Sequence, residues 1–417
     1  MAQTLKFGNG TWATKKGSTL AYNDEGGNFK PLPFTYTGAG KGTRVNKEGL
    51  IEVVENDRPR IDYTDSEDGV FLLEKAATNS LLQSNQFDTT WTSTNATVTS
   101  GQIGVGGSVD AWELEKTATN GYIRHIGVSI VNGSISIYAK KGSSNWFRLG
   151  SSSGNIEVYF DLNNGIIGNK GNLVSTANIT DMGDGWYRCS YSYTGTATGV
   201  YLYPADSNGD TSGTSGSVYI QYAQLEVGNV SSYIPTQGTI QTRVQETASG
   251  SGNSEVFNSE QGILYFEGSG ENDNTFNYIS LSDGGTTNYA AILYTDTDNQ
   301  IIYRYYVGGS GVQIVVNSIN VTNFNKFIIK YKENDFAIWI NGFEVGTASS
   351  GSLNPSGTFT ELAFARGGSN NTPFYGKTKE IAYYDEVLTD LELETLTSYR
   401  TWESMVKELN LNVIYNG

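Results

Sequence analysis

The sequence is poor in the residues that most enzymes and secreted scaffolds depend on. In 417 residues there is one cysteine, one histidine and seven prolines. A single cysteine, Cys189, excludes an intrachain disulfide and a cysteine-based zinc site. Within "GWYRCSYSYTG" it reads as a small buried hydrophobe in a strand. The one histidine, His125 in "GYIRHIGVS", sits beside Arg124 among strand-like residues and reads as structural. No phosphate-binding loop, paired-histidine helix motif or dinucleotide fingerprint occurs. Charged residues are sparse, 17%, and unbalanced, with 27 Lys and Arg against 43 Asp and Glu, a net charge of −16. No basic cluster offers a footprint for a phosphate backbone, so nucleic acid is not an expected partner. No apolar run approaches the roughly 20 residues of a spanning helix, so no membrane span is expected. The opening "MAQTLKFGNGTWATKK" lacks a charged-then-apolar signal pattern, which points to synthesis in a cytosol.

What the chain has instead is 50 Gly, 27 Tyr and 17 Phe among abundant Ser, Thr and Asn. Many short strands joined by polar, glycine-containing turns give this mixture. Residues 1–84 hold runs too short to build a core alone: Leu50–Val54, Arg60–Tyr63 and Val70–Leu73. They predict an extended segment that borrows burial from a neighbour, for anchoring or assembly. Residues 85–240 read as one all-β domain. "GSISIYAKK" sets Ile135, Ile137 and Ala139 on one face and Ser134, Ser136 and Tyr138 on the other, the period of a half-buried strand. "NIEVYFDLNNG", "GWYRCSYSYTG" and "GSVYIQYAQLEVG" repeat the pattern, so a jelly-roll sandwich is expected. Residues 241–258, centred on "ASGSGN", read as a flexible polar linker. Residues 259–400 resume strands, with a tight hairpin at Asn341-Gly342. They end in a strand followed by a helix, "LTDLELETLTSY", which Thr389 and Glu392 cap as a box and Leu393 and Leu396 lay against a sheet. In 401–417, Trp402, Met405, Val406 and Leu409 form one apolar helical stripe.

Two resemblances sharpen this. The order from the hairpin "WINGFEVG", through Gly376, Ile381 and Tyr384, to Leu388-Thr389, Glu392 and Leu396 resembles the closing pattern of concanavalin A-like lectin and laminin-G (pentraxin-like) sandwiches. Further upstream, Thr43–Glu52, Pro59–Tyr63 and Leu72–Ser84 resemble a leader common in bacteriophage structural proteins. There it precedes a carbohydrate-binding-module-like jelly roll, here with "DGWYRCSYSY" and "VYIQYAQLEVGNVSSYIPTQGTIQTR". The expected architecture is tandem antiparallel β-sandwiches with an extended N-terminal anchor and short C-terminal helices. The resemblance implies a virion surface protein, tail appendage or capsid decoration, in contact with other virion proteins and host surface glycans. A homo-oligomer is expected. The alternatives are a particle-borne polysaccharide depolymerase and a purely structural decoration.

For catalysis, Asp385 and Glu386 are the nearest carboxylate pair, and adjacent strand residues face opposite sides. No enzyme activity is therefore expected. Sugars are held by aromatic faces among polar side chains, which makes Trp146, Phe147, Tyr201 and Tyr203 candidates in the middle domain, and Tyr303 and Tyr305 in the C-terminal one. "PADSNGDTSG" carries Asp206, Asn208 and Asp210 at alternate positions, as a calcium loop opens, but lacks the glycine and glutamate that complete one. It reads as a polar loop whose three oxygen donors are the Ca2+ candidates.

Overall fold

The computed structural model describes residues 4–20, 32–38, 40–152, 154–271, 275–368 and 372–399. Among them lie short antiparallel strands and one helix, Asp390–Thr397, so the all-β expectation holds. None of these elements is a helix long and apolar enough to cross a membrane. The chain divides into two units that interleave in sequence. One takes 39–55 and 76–244, and the other takes 1–38, 56–75 and 245–417.

The middle unit is a sandwich of two six-stranded sheets. The first runs in the order Trp91–Thr94, Tyr122–Val131, Thr196–Ala205, Trp146–Gly150, Glu157–Asp161, Ile166–Lys170. The second runs Ala96–Gln102, Ala111–Lys116, Ser217–Val227, Gly133–Lys141, Trp186–Tyr193, Val174–Asp181. Within each sheet, strands distant in sequence stand side by side, Tyr122–Val131 beside Thr196–Ala205 and Gly133–Lys141 beside Ser217–Val227, as in a jelly roll. Ile123, Phe147, Leu149, Val158, Phe160 and Leu202 from one sheet meet Ile135, Ile137, Cys189, Tyr191 and Ile220 from the other. Cys189 is fully buried, and burial raises its thiol well above the ordinary range.

The second sheet departs from the half-buried expectation, because Ser136 and Tyr138 are buried as well. Residues 229–236 lie over that face. The Ser231 amide donates to Glu226 Oε1 (2.9 Å) and the Ile234 amide to Gln224 Oε1 (2.7 Å). Tyr233 stacks on Tyr222 with ring centroids 4.5 Å apart. The leader hairpin Thr43–Val45 and Ile51–Val53 is held there too, with Thr43 Oγ1 donating to the Tyr233 carbonyl (2.7 Å). Ile51 packs on the cluster of Val105, Tyr138, Trp186 and Tyr233.

The other unit pairs a larger sheet with a five-stranded one. Its large sheet runs Phe343–Ala348, Asp335–Ile340, Asn325–Lys332, Gln261–Gly270, Gly376–Tyr384, Val70–Leu73, Arg60–Asp62, and Leu5–Gly8 also pairs with Gly376–Tyr384. The second sheet runs Ser310–Asn317, Gln300–Val307, Tyr289–Tyr294, Asn277–Ser282, Glu361–Ala363. Three leader strands therefore belong to this sandwich, and Leu5, Phe7, Phe71 and Leu73 are part of its core. The burial that the leader borrows comes from its own chain.

The tract 241–258 is not the flexible linker expected from its composition. Gln241–Arg243 pairs with Ala77–Asn79, and Thr247–Ser249 pairs with Phe34–Thr37. Arg243, Glu246, Ala248, Ser251 and Phe257 are buried. Small residues here permit close strand approach, and composition alone cannot separate that from disorder.

The hairpin and the closing helix form as the sequence predicts. Asn341 and Gly342 both adopt positive φ, 51° and 89°, as a I′ turn requires. Glu392 accepts from the Thr389 amide (2.8 Å) and from its hydroxyl (2.8 Å), and these bonds hold the Glu392 carboxyl below its ordinary range. Leu393 buries itself against Ile263, Tyr265, Ile328, Trp339 and Tyr384 on the outer face of the large sheet. The stripe of Trp402, Met405, Val406 and Leu409 lies outside the described residues.

Candidate functional site

The first sheet of the middle sandwich keeps its outer face largely open. Alternation decides what stands on it. With Ile123 and His125 turned to the core, Tyr122 and Arg124 face out. With Phe147 and Leu149 inside, Trp146 and Arg148 face out. Register then lines these residues up. Arg124 lies opposite Thr92 on one side and Tyr201 on the other. Tyr203 lies opposite Arg148, and Arg148 opposite Tyr159. Gly150 sits between Tyr201 and Glu157, and the Arg148 guanidinium and Glu157 border the space above it.

The rings and guanidinium groups touch. Tyr122 lies 5.6 Å from Tyr201 and 4.8 Å from Tyr203, centroid to centroid. The Arg148 guanidinium rides 4.4 Å above the Tyr203 ring and is paired with Glu157, whose Oε2 accepts from Nε at 2.8 Å. The Arg124 guanidinium is 5.8 Å from the Tyr201 ring; its Nη1 donates to the Tyr201 hydroxyl (3.4 Å) and its Nε to Thr92 Oγ1 (3.3 Å). Burial raises the Tyr203 and Tyr159 hydroxyls above their ordinary range, so the phenols stay neutral at working pH. Tyr203 and Tyr159 are nearly covered, while Tyr122, Tyr201, Trp146, Arg124 and Arg148 are partly exposed. The result is a cluster of tilted aromatic rings, 39° and 40° between planes, with guanidinium donors set among them. Such a surface can stack on the C–H face of a sugar and hydrogen-bond its oxygens.

Of the six aromatic candidates read from the sequence, three stand on this face: Trp146, Tyr201 and Tyr203. The other three need correction. Phe147 is fully buried because it neighbours Trp146 in a strand and so points the other way. Tyr303 and Tyr305 lie in the core of the other unit, where their hydroxyls donate to the carbonyls of Lys330 (3.0 Å) and Ser259 (2.7 Å). On the outer face of their own sheet, Tyr278 and Tyr289 are sealed, at 3% and 0% exposure, and Arg366 packs over both. Sequence reasoning missed Tyr122, Arg148, Tyr159 and Glu157, although period-two alternation around Ile123 and Phe147 carries the signal for the first two.

The calcium candidates do not converge. Both Asp206 oxygens accept from the buried Lys116 ammonium, at 2.9 and 2.7 Å, and Oδ2 also accepts from the Gly213 amide (2.8 Å). Asn208 Oδ1 accepts from the Asn169 amide (2.7 Å) and Asp210 Oδ1 from the Ser212 amide (2.8 Å). Among the described residues, no group of three or more His, Cys, Asp or Glu side chains is placed to share a metal ion. A nearby lysine therefore does the neutralising that a cation would do.

His125, behind the face, is structural. Its Nε2 accepts from the Leu82 amide (3.3 Å) and its ring lies edge-on to Trp91 at 5.5 Å. Burial pushes its pKa below the ordinary 6.5. The neutral ring is thus favoured in the folded state, and the unfolded chain takes up more protons as pH drops below about 6.5. The contribution of His125 should be constant above pH ~7 and fall on acidification through that window. Chemical denaturation of wild type and His125→Gln at several pH values checks this, and the variant should lack that part of the slope.

No protein-family model matches this sequence, and no curated protein matches it. Solved structures similar to parts of the chain include the Ruminococcus gnavus IT-sialidase CBM40 bound to alpha2,3 sialyllactose, with 17% identity, 33% of this chain and 83% of that one, and TM-score 0.30. The NanB sialidase from Streptococcus pneumoniae is matched at 17% identity over 35% of this chain and 25% of that one, TM-score 0.29. Domain 4 of AbnA, a GH43 extracellular arabinanase from Geobacillus stearothermophilus, in complex with arabinotriose, is matched at 12% identity over 37% and 73%, TM-score 0.31. Scores of this size carry no functional argument, and the case for function rests on the residues of the face.

Proposed function

We propose that the chain is a non-catalytic glycan-binding protein and that the open face of its middle sandwich is the binding site. One observation carries the reading: Tyr122, Tyr201, Tyr203, Arg124 and Arg148 are in contact on adjacent strands of one sheet face, where Tyr122, Tyr201, Arg124 and Arg148 stay partly exposed. A solvent-facing aromatic cluster costs solubility and contributes little to the core, so ligand contact is its best use. The leader resemblance supports a place on a phage particle. Since strands of the leader pair within the chain, docking to other virion proteins would fall to its hairpin at Thr43–Val53, where Leu50 and Val53 are exposed. Many copies on a particle would add about 10²–10⁴ in avidity to a weak site.

Titration of purified protein with a panel of bacterial surface oligosaccharides tests the binding reading. Tyr201→Ala and Tyr122→Ala should each weaken binding by roughly 5- to 30-fold, with the melting temperature nearly unchanged. Equal affinity in wild type and both variants would reject the face. Mass spectrometry of purified particles tests the virion assignment, and absence of the protein would reject it.

A further inference from the structure

The two arginines of the face differ in one respect that points to ligand class. Arg148 is answered by Glu157. Among the described residues the hydrogen-bond partners of Arg124 are neutral, Thr92 Oγ1 at 3.3 Å and the Tyr201 hydroxyl at 3.4 Å, both long for hydrogen bonds. An arginine carries five N–H donors in a planar fork, so most of this one's capacity faces outward. The chain holds 43 Asp and Glu for 27 Lys and Arg, so carboxylates to pair with Arg124 are not scarce. The carboxylates Glu157 and Asp161 on this face are already engaged. Glu157 is bound to Arg148, and Asp161 accepts from the Asn163 amide (2.9 Å) and from Asn164 Nδ2 (2.8 Å).

We infer that the face takes an acidic glycan, with the sugar ring on Tyr122 and Tyr201 and its carboxylate held by the Arg124 fork. This rests on the proposed binding face and adds the charge of the ligand. A planar carboxylate matches the guanidinium bidentately, whereas a hydroxyl-only sugar leaves that match unused.

The test uses the full-length protein and an array of acidic oligosaccharides, hexuronate-bearing and nonulosonate-bearing, each beside its carboxyl-reduced form. Hits are measured by calorimetry with wild type, Arg124→Gln and Arg124→Lys. Carboxyl reduction should cost wild type about 10- to 100-fold in affinity, the worth of a charge-assisted bond. Arg124→Gln should bind acidic and reduced forms alike. Arg124→Lys, which keeps the charge without the fork, should fall between. The two acidic series separate a uronate from a nonulosonate source. Equal binding of acidic and reduced forms by wild type would overturn this inference and leave the glycan-binding reading standing. An acid preference that survives in Arg124→Gln would also overturn it. No binding to either form would overturn both.

Discussion

Arg60→Ala is expected to remove about 3–5 kcal/mol from the stability of the unit that contains it, the usual cost of breaking a buried ion pair on one side. Arg60 is 1% exposed. Its Nε donates to Glu246 Oε1 at 2.7 Å, its Nη2 pairs with Glu246 Oε2, and Nη2 also lies 2.7 Å from Glu74 Oε2. Glu246 accepts in addition from the Tyr36 hydroxyl (2.5 Å) and the Glu74 amide (2.9 Å). Burial works against the Arg60 charge, but Glu246 and Glu74 more than offset it, so its pKa is raised on balance. Removing the guanidinium leaves two carboxylates facing each other in a site from which water is excluded. For a domain with ordinary stability of roughly 5–15 kcal/mol that is a large share. Urea unfolding should show the midpoint falling sharply. A double replacement of Arg60 and Glu246 by leucine should cost less than the sum of the single changes, because it removes both charges together. A loss below about 1 kcal/mol for Arg60→Ala would show that the site is wet and the pair weak.

Phe71→Ala tests whether the leader is part of the sandwich, with an expected loss of about 3–5 kcal/mol. Phe71 is fully buried. Its ring lies 5.3 Å from Trp12, 6.1 Å from Tyr36 and 5.6 Å from Phe364. Its strand, Val70–Leu73, pairs with Gly376–Tyr384, with Phe71 opposite Thr378. For the same reason a chain that starts at residue 245 should fail to fold cooperatively, since the large sheet would lose Leu5–Gly8, Arg60–Asp62 and Val70–Leu73. A leader that gained order only by docking elsewhere would predict the opposite, a Phe71→Ala loss within about 0.5 kcal/mol.

Which features were legible follows from the range of the interactions. Period-two alternation is local, so the strands of the middle domain, the Asn341-Gly342 turn and the Thr389–Glu392 cap could be read directly. Alternation also limits the site. It puts Phe147 on the opposite face from Trp146, and it places Tyr122 and Arg124 together. The sequence does not show which face of a strand meets the opposite sheet, so Tyr303 and Tyr305 read as binding candidates although both are core. Nor could it show long-range pairing. Arg60 and Glu246 stand 186 residues apart, and no spacing rule links them. The small residues of 241–258 suit a tight strand junction as well as a flexible tract, and only the partner strands distinguish the two.

The most direct measurement is ¹⁹F NMR of 3-fluorotyrosine-labelled protein during titration with a bound oligosaccharide, with resonances assigned by single Tyr→Phe changes. The signals of Tyr122 and Tyr201 should shift with ligand while those of Tyr303 and Tyr305 stay in place. Shifts confined to tyrosines outside the Tyr122–Tyr201 face would contradict the proposed binding site.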